Sequence, residues 1–195
     1  VILEIAKTLT IKGIYMGILK ERFASKFETV STEIKEIIKE HGSKKIGEVS
    51  LSQVYQGMRG ITGLVTETSL LDSQEGIRFR GYTIPVLQEK LPKAPNGTEP
   101  LPEGLLYLML IGELPTAEDV QHVTNVLQRR SHVPSHVFAS IEALPVSAHP
   151  MTQFVVAIMA LQTESEFAKK YAKGMAKKDY WEAVFDDTMD LIARL

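Results

Sequence analysis

The stretch Pro150–Thr163, PMTQFVVAIMALQT, holds eight consecutive apolar residues, Phe154 to Leu161. Pro150 suits a first helical turn, where its missing N–H is not needed. A helix that is apolar all round leaves no face for water and must be covered on every side. A chain of 195 residues can bury a sizeable core. Even so, a helix of this kind in so small a chain points to cover from a second subunit or from a further domain.

Helical signals dominate the rest. Apolar residues at Leu19, Phe23, Phe27, Val30, Ile34 and Ile37/Ile38 recur at three-to-four spacing and predict a helix over 19–41, stopped by Gly42. Ser50 with Gln53 makes a capping box for a short helix ending near Gly57. Pro102 opens a helix that ends at Gly112, and Thr116 caps the next, closed by Arg129 and Arg130. PSHVFASIEAL predicts a shorter helix before Pro145. Asp179 with Glu182 reads as a capping box for a last helix. Its stripe is Trp181, Val184, Phe185, Ile192 and Leu195, and Asp186, Asp187 and Asp190 fall on its wet face. The one convincing β signal is a hairpin, GLVTETSLL and IRFRGYTI around the turn DSQEG. KLPKAPNGTEPLPEG (90–104), with four prolines, is a loop. The pattern predicts a mostly α fold with one small antiparallel hairpin.

Composition removes several classes of function. The 22 basic side chains against 24 acidic ones lack the excess of a nucleic-acid binder. With no cysteine, the chain offers no disulfide, thiolate metal site or cysteine nucleophile. Residues 1–18 are apolar but carry Glu4, Lys7 and Lys12, which fits neither a membrane span nor a transit peptide. They read as a leader remnant or an N-terminal extension. Both ends of the sequence read as cut from something longer. Together these features describe an intracellular, oligomeric fragment.

No complete catalytic group is visible. Of five histidines, His132 and His136 are four apart, but Pro134 separates them, and His149 is placed to start a helix. No metal site is expected. There is no G-x-S-x-G elbow and no phosphate-loop ending, and GMRG matches only the bare GXXG of a nucleic-acid module. Glu67, Asp72 and Glu75 are expected to be solvated turn acids. Three arginines remain. Arg78 and Arg80, two apart on one strand, share a face and either clamp an anion or hold the hairpin by pairing with its acids. Arg59 lies between glycines that allow close approach of a ligand, so backbone amides and its guanidinium can converge on a phosphate or carboxylate.

The strings GMRGITGLVTETSLLDSQEGIRFRGYTIP, PLPEGLLYLMLIGELPT, ALPVSAHPMTQF and DTMDLIARL resemble, in order, the N-terminal half of citrate synthases of the eukaryotic mitochondrial type. The likeness runs from about Leu19 to Leu195 and leaves 1–18 uncovered. It implies the N-terminal part of a large helical domain over 19–195, in a homodimer of the mitochondrial matrix. The implied reaction condenses acetyl-coenzyme A with oxaloacetate to citrate and coenzyme A, the first step of the citric acid cycle. No cofactor or metal is implied, since the coenzyme A thioester is a substrate. The family's catalytic aspartate and two histidines match no position here, so no catalytic residue is assigned and this stretch alone is expected to be inactive. Arg59 matches an arginine that contacts coenzyme A phosphate. Lys177 stands where a second such arginine reaches in from the partner subunit. Helices 150–163 and 179–195 match dimer-interface helices, which accounts for the apolar run. Neither a membrane nor a nucleic acid is implied as a partner. Two alternatives stay open: 2-methylcitrate synthase, and a non-catalytic assembly protein on the same helical framework.

Overall fold

The computed structural model describes residues 2–195, with side chains from residue 17 onward. Nine α-helices and one three-stranded antiparallel sheet are present among the described residues. The chain divides into two compact units, Val1–Val123 and Thr124–Leu195.

The first unit begins with α1, Ile2–His41. The predicted helix thus starts well before Leu19, because no proline interrupts the segment. Residues 2–18 of the stretch read as a leader remnant or N-terminal extension form the first part of this helix. Only the inner end of the α1 stripe is covered. Leu19 is buried, while Phe27, Ile34, Ile37 and Ile38 are exposed. The capping box at Ser50 and Gln53 forms as expected and starts α2, Leu51–Tyr55.

The hairpin pairs β1, Ser69–Asp72, with β2, Gly76–Phe79, placing Leu70 opposite Arg78. Asp72 closes the turn, its Oδ1 accepting from the N–H groups of Gln74 and Glu75 at 2.8 and 2.9 Å. A third strand, β3 at Tyr82–Thr83, adds to β2. The chain then enters α3, Ile84–Lys90, where the sequence pattern had continued the strand. Pro85 in its first turn was the available signal. After the loop come α4, Pro102–Ile111, and α5, Ala117–Arg130. Thr116 caps α5 as predicted, with Asp119 Oδ2 returning to the Thr116 N–H at 3.0 Å. Leu87, Leu91 and Leu108 form a core, packed by Phe79, Tyr82, Leu105 and Leu114. Arg22 ties α1 to this core by donating to the Tyr107 hydroxyl and to Asp119 Oδ1.

The second unit holds the C-terminal half of α5, then α6 at Ser135–Glu142 and α7 at Pro150–Leu161. His149 caps α7, its Nδ1 accepting from the Met151 N–H at 3.1 Å. A helix absent from the sequence reading, α8 at Glu166–Ala172, is capped by the Ser165 hydroxyl. The last helix, α9, spans Tyr180–Arg194. Its predicted capping box does not form. Asp179 ends a 3₁₀ turn, Lys177–Asp179, with helical backbone angles, so its carboxylate is not swung back over the helix start. The buried face of α9 is Ala183, Phe185 and Met189, whereas Val184, Ile192 and Leu195 are exposed.

The aspartates of α9 correct the sequence reading most sharply. Asp186 and Asp190 are not on a wet face. They bind Arg130 at 3.1 and 2.6 Å, with all three side chains mostly covered. Asp187 accepts from Ser165 Oγ at 2.5 Å and from the Glu166 and Phe167 N–H groups at 2.7 and 3.2 Å, anchoring the start of α8. The spacing 186, 187, 190 fits a surface stripe only if no basic residue waits opposite. Arg130 lies 56 residues away in sequence and could not be matched from periodicity.

Candidate functional site

Arg59 lies in a tight reversal just after α2. Gly57, Met58 and Gly60 take φ of 75°, 62° and 72°, left-handed values that suit the two glycines. The Met58 N–H donates to Gln53 O at 2.9 Å, and Gln53 Nε2 reaches Arg59 O at 3.5 Å, so the capping residue of α2 also props the turn. Among the described residues, neither the Arg59 and Gly60 N–H groups nor the Arg59 guanidinium makes a hydrogen bond or ion pair. Arg59 is exposed. An exposed guanidinium beside two unengaged N–H groups, on a backbone fixed from below, has the donors an anionic ligand requires.

The other two arginines are engaged. Arg78 donates to Glu75 Oε2 at 2.7 Å and to Gly81 O at 3.2 Å. Arg80 does not share its strand face. It follows the end of β2 with φ 48°, next to Gly81 at φ 85°. Two successive positive φ values define the hairpin turn into β3. That turn swings Arg80 inward, where it donates to Met109 O and sits 3.8 Å from Glu67. Of the two readings left open for this pair, holding the hairpin is the one the contacts match. A groove of about 410 Å³ lies beside Arg80, walled by Phe23, Phe27, Leu110 and Ile111. Its charged members are committed, Arg80 as above and Lys26 to Glu113 at 2.7 Å.

Lys177, in the second unit, opens the exposed 3₁₀ turn before α9 and makes no ion pair among the described residues. It and Arg59 stand in different units, each presenting an unpaired cation. His136 serves structure, its Nε2 lying 3.1 Å from Ala160 O and 3.2 Å from Thr163 Oγ1. Among the described residues no cluster of three or more histidines and acids could hold a metal ion, and no helix is long and apolar enough to cross a membrane.

The glycines flanking Met58 and Arg59 pointed to backbone amides beside the guanidinium, and the Arg59 and Gly60 N–H groups are the ones left unengaged among the described residues. The family model described as "Citrate synthase, C-terminal domain" matches residues 57–195. The mitochondrial and peroxisomal citrate synthases of Saccharomyces cerevisiae are 53% and 49% identical to the chain over 177 residues, 91% of its length. A mitochondrial 2-methylcitrate synthase of Yarrowia lipolytica is 51% identical over the same length. The chain spans 37–38% of each of these relatives. Among solved structures, a ternary complex of carboxymethyl coenzyme A and oxaloacetate with citrate synthase from Thermoplasma acidophilum aligns with a TM-score of 0.54. It covers 71% of this chain and 32% of its own, and at 20% identity it supports the fold alone.

Proposed function

The chain belongs to the citrate synthase family, and from that premise we propose that it forms part of an acyltransferase that condenses acetyl-coenzyme A with oxaloacetate to give citrate and coenzyme A. The observation that carries this reading is identity of about half over 91% of the chain to proteins named for that activity. The chain spans little more than a third of those relatives. Residues 19–195 are proposed as the N-terminal part of the large helical domain. The catalytic aspartate and histidines are assigned to the remainder of the family fold, and none of the five histidines here takes their place.

Within that reaction this stretch binds and supports. Arg59 is proposed to hold a phosphate of coenzyme A. Its fixed backbone supports the assignment, because a ligand contact made without reordering the chain loses less entropy. Lys177 is proposed to supply a second cation from the partner subunit. A lysine there gives charge without the two-point fork of arginine. The helices at 150–163 and 179–195 are proposed as the homodimer interface. Met151, Phe154, Val155 and Met159 on α7, and Val184 and Ile192 on α9, are exposed and apolar. Residence in the mitochondrial matrix and a place at the entry of the citric acid cycle are proposed with it, supported by the mitochondrial relatives.

The test is oxaloacetate-dependent release of coenzyme A from acetyl-coenzyme A by the native protein. Failure with acetyl-coenzyme A but turnover with propionyl-coenzyme A would favour the 2-methylcitrate reading, which the Yarrowia relative at 51% identity keeps in view. Absence of both activities from a dimer would favour a non-catalytic assembly role. Subcellular fractionation separates the matrix from the peroxisome.

A further inference from the structure

We propose that Asn96 is a site of spontaneous covalent modification, converting to aspartate and isoaspartate through attack by the Gly97 amide nitrogen. The loop between α3 and α4 carries Ala94-Pro95-Asn96-Gly97, closed by a hydrogen bond from the Gly97 N–H to Ala94 O at 2.8 Å. Proline then asparagine at the two central positions, with Asn96 at φ 63°, makes a type II turn. Asn96, Gly97 and Thr98 are all exposed. Among the described residues the Asn96 side chain has no hydrogen-bond partner. Its amide is therefore free to rotate toward the next backbone nitrogen, and Gly97 has no Cβ to obstruct the approach.

The chemistry balances with water as the only co-reactant. The Gly97 nitrogen bonds to Asn96 Cγ while its proton passes to solvent base. The Cγ–Nδ2 bond breaks and ammonia leaves, giving a cyclic imide. Water then adds to one of the two imide carbonyls. One opening yields aspartate. The other yields isoaspartate, which routes the main chain through the side-chain carbon. Both add a negative charge, and the second lengthens the backbone inside a loop pinned by Leu101 N–H to Pro92 O at 3.0 Å and by the Lys93–Pro100 bridge. The Gly97–Ala94 hydrogen bond opposes attack, since the nitrogen must first leave it. That bond lies in an exposed turn, where opening costs little compared with unfolding a core element.

The chain supplies its own control. Its only other asparagine, Asn125, lies within α5 and precedes the β-branched Val126. The native protein would be incubated at mildly alkaline pH and digested, and both asparagine peptides weighed and probed with an isoaspartyl methyltransferase. The expected result is amide-to-acid conversion at Asn96 at least ~10-fold faster than at Asn125, because α5 must open before its amide can react. Asn96→Gly, which tolerates the positive φ, should abolish the isoaspartyl signal without altering the circular dichroism spectrum. Conversion in a synthetic 91–101 peptide but not in the folded protein would overturn the proposal, as it would show that the turn protects the site. Equal rates at the two asparagines, or no conversion anywhere, would overturn it too.

Discussion

The guanidinium of Arg80 holds the carbonyl of Met109, Nη2 donating at 2.6 Å and Nε at 3.2 Å. Met109 lies in the last turn of α4, where carbonyls lack helical partners. Arg80 thus caps α4 from a hairpin turn 29 residues earlier. To do so it adopts φ 48°, which costs an L-residue roughly 1–2 kcal/mol. Arg80→Ala is expected to lose about 2 kcal/mol, the value of hydrogen bonds to a charged donor. Arg80→Gly should lose only about half as much, because glycine removes the backbone strain while still deleting the cap. Urea unfolding of the two variants tests this, and equal losses would show that the turn is unstrained.

A second prediction concerns acid. Burial pushes the Asp119 carboxyl up, but the Thr116 N–H and hydroxyl and the Arg22 guanidinium outweigh it, holding its pKa below the ordinary 3.8. A carboxylate with a depressed folded pKa stabilises above its unfolded value, and that contribution is lost as pH falls through the folded one. Asp72 shifts the same way, through the Glu75 and Gln74 N–H groups. Asp119→Ala should therefore cost about 1 kcal/mol at neutral pH, a typical capping loss. The difference from wild type should shrink below roughly pH 4. A thermal-melt series across that range reads it directly, and a gap that stays constant into acid would remove Asp119 from the explanation.

For Arg59 the expected effect is on ligand and not on fold. The side chain is exposed and unpaired, so Arg59→Ala should change stability by no more than about 0.5 kcal/mol. If Arg59 holds coenzyme A phosphate as proposed, the change in the full-length protein should raise KM for acetyl-coenzyme A by roughly tenfold or more, as loss of a charge-assisted contact implies, and leave KM for oxaloacetate nearly unchanged. Arg59→Lys should recover part of the loss, since charge remains and the fork does not. Steady-state kinetics with each substrate varied in turn decides the matter.

The α7 surface gives a prediction of assembly. Val155 and Met159 are 53% and 66% exposed on a helix with no charged residue. The protein is expected to dimerise through this face or, where the dimer is incomplete, to aggregate. Val155→Glu with Met159→Glu should shift the species to monomer in sedimentation velocity. A wild-type protein that is monodisperse and monomeric would refute the interface.

Local chemistry was the legible part of this fold. The capping box at Ser50, the cap at Thr116 and the histidine start of α7 each rest on residues within three positions of one another, and all three form. The Asp179–Glu182 box, equally local, does not form because a 3₁₀ turn precedes α9, and the rest of what escaped depends on partners distant in sequence or on short elements. Arg80 pairs with strand neighbours on paper, but positive φ turns it toward α4. The seven-residue helices α3 and α8 are too short for periodicity to reveal. Of the candidate site, the glycine-flanked Arg59 and the backbone amides beside it were legible; which N–H groups stay unengaged was not, because hydrogen bonds must be counted on a folded backbone.

Arg130 offers the largest expected loss. It joins the end of α5 to α9 through Asp186 and Asp190, and it also donates to Asp186 O at 3.1 Å. Its side chain is 12% exposed and those of the two aspartates 14% and 23%, so water can do little to replace it. Removing one partner from a covered ion cluster leaves the others uncompensated, at a cost of about 3–5 kcal/mol. Arg130→Ala should lose that much, far more than an exposed pair such as Lys45–Glu48 could contribute. The triple change Arg130→Met, Asp186→Leu and Asp190→Leu should recover most of the loss, because covered ion clusters replaced by apolar groups of similar volume are often neutral. Denaturant midpoints for the single and triple variants separate the two contributions. If the triple variant is no more stable than Arg130→Ala, packing or the Asp186 carbonyl contact, and not uncompensated charge, is what Arg130 supplies.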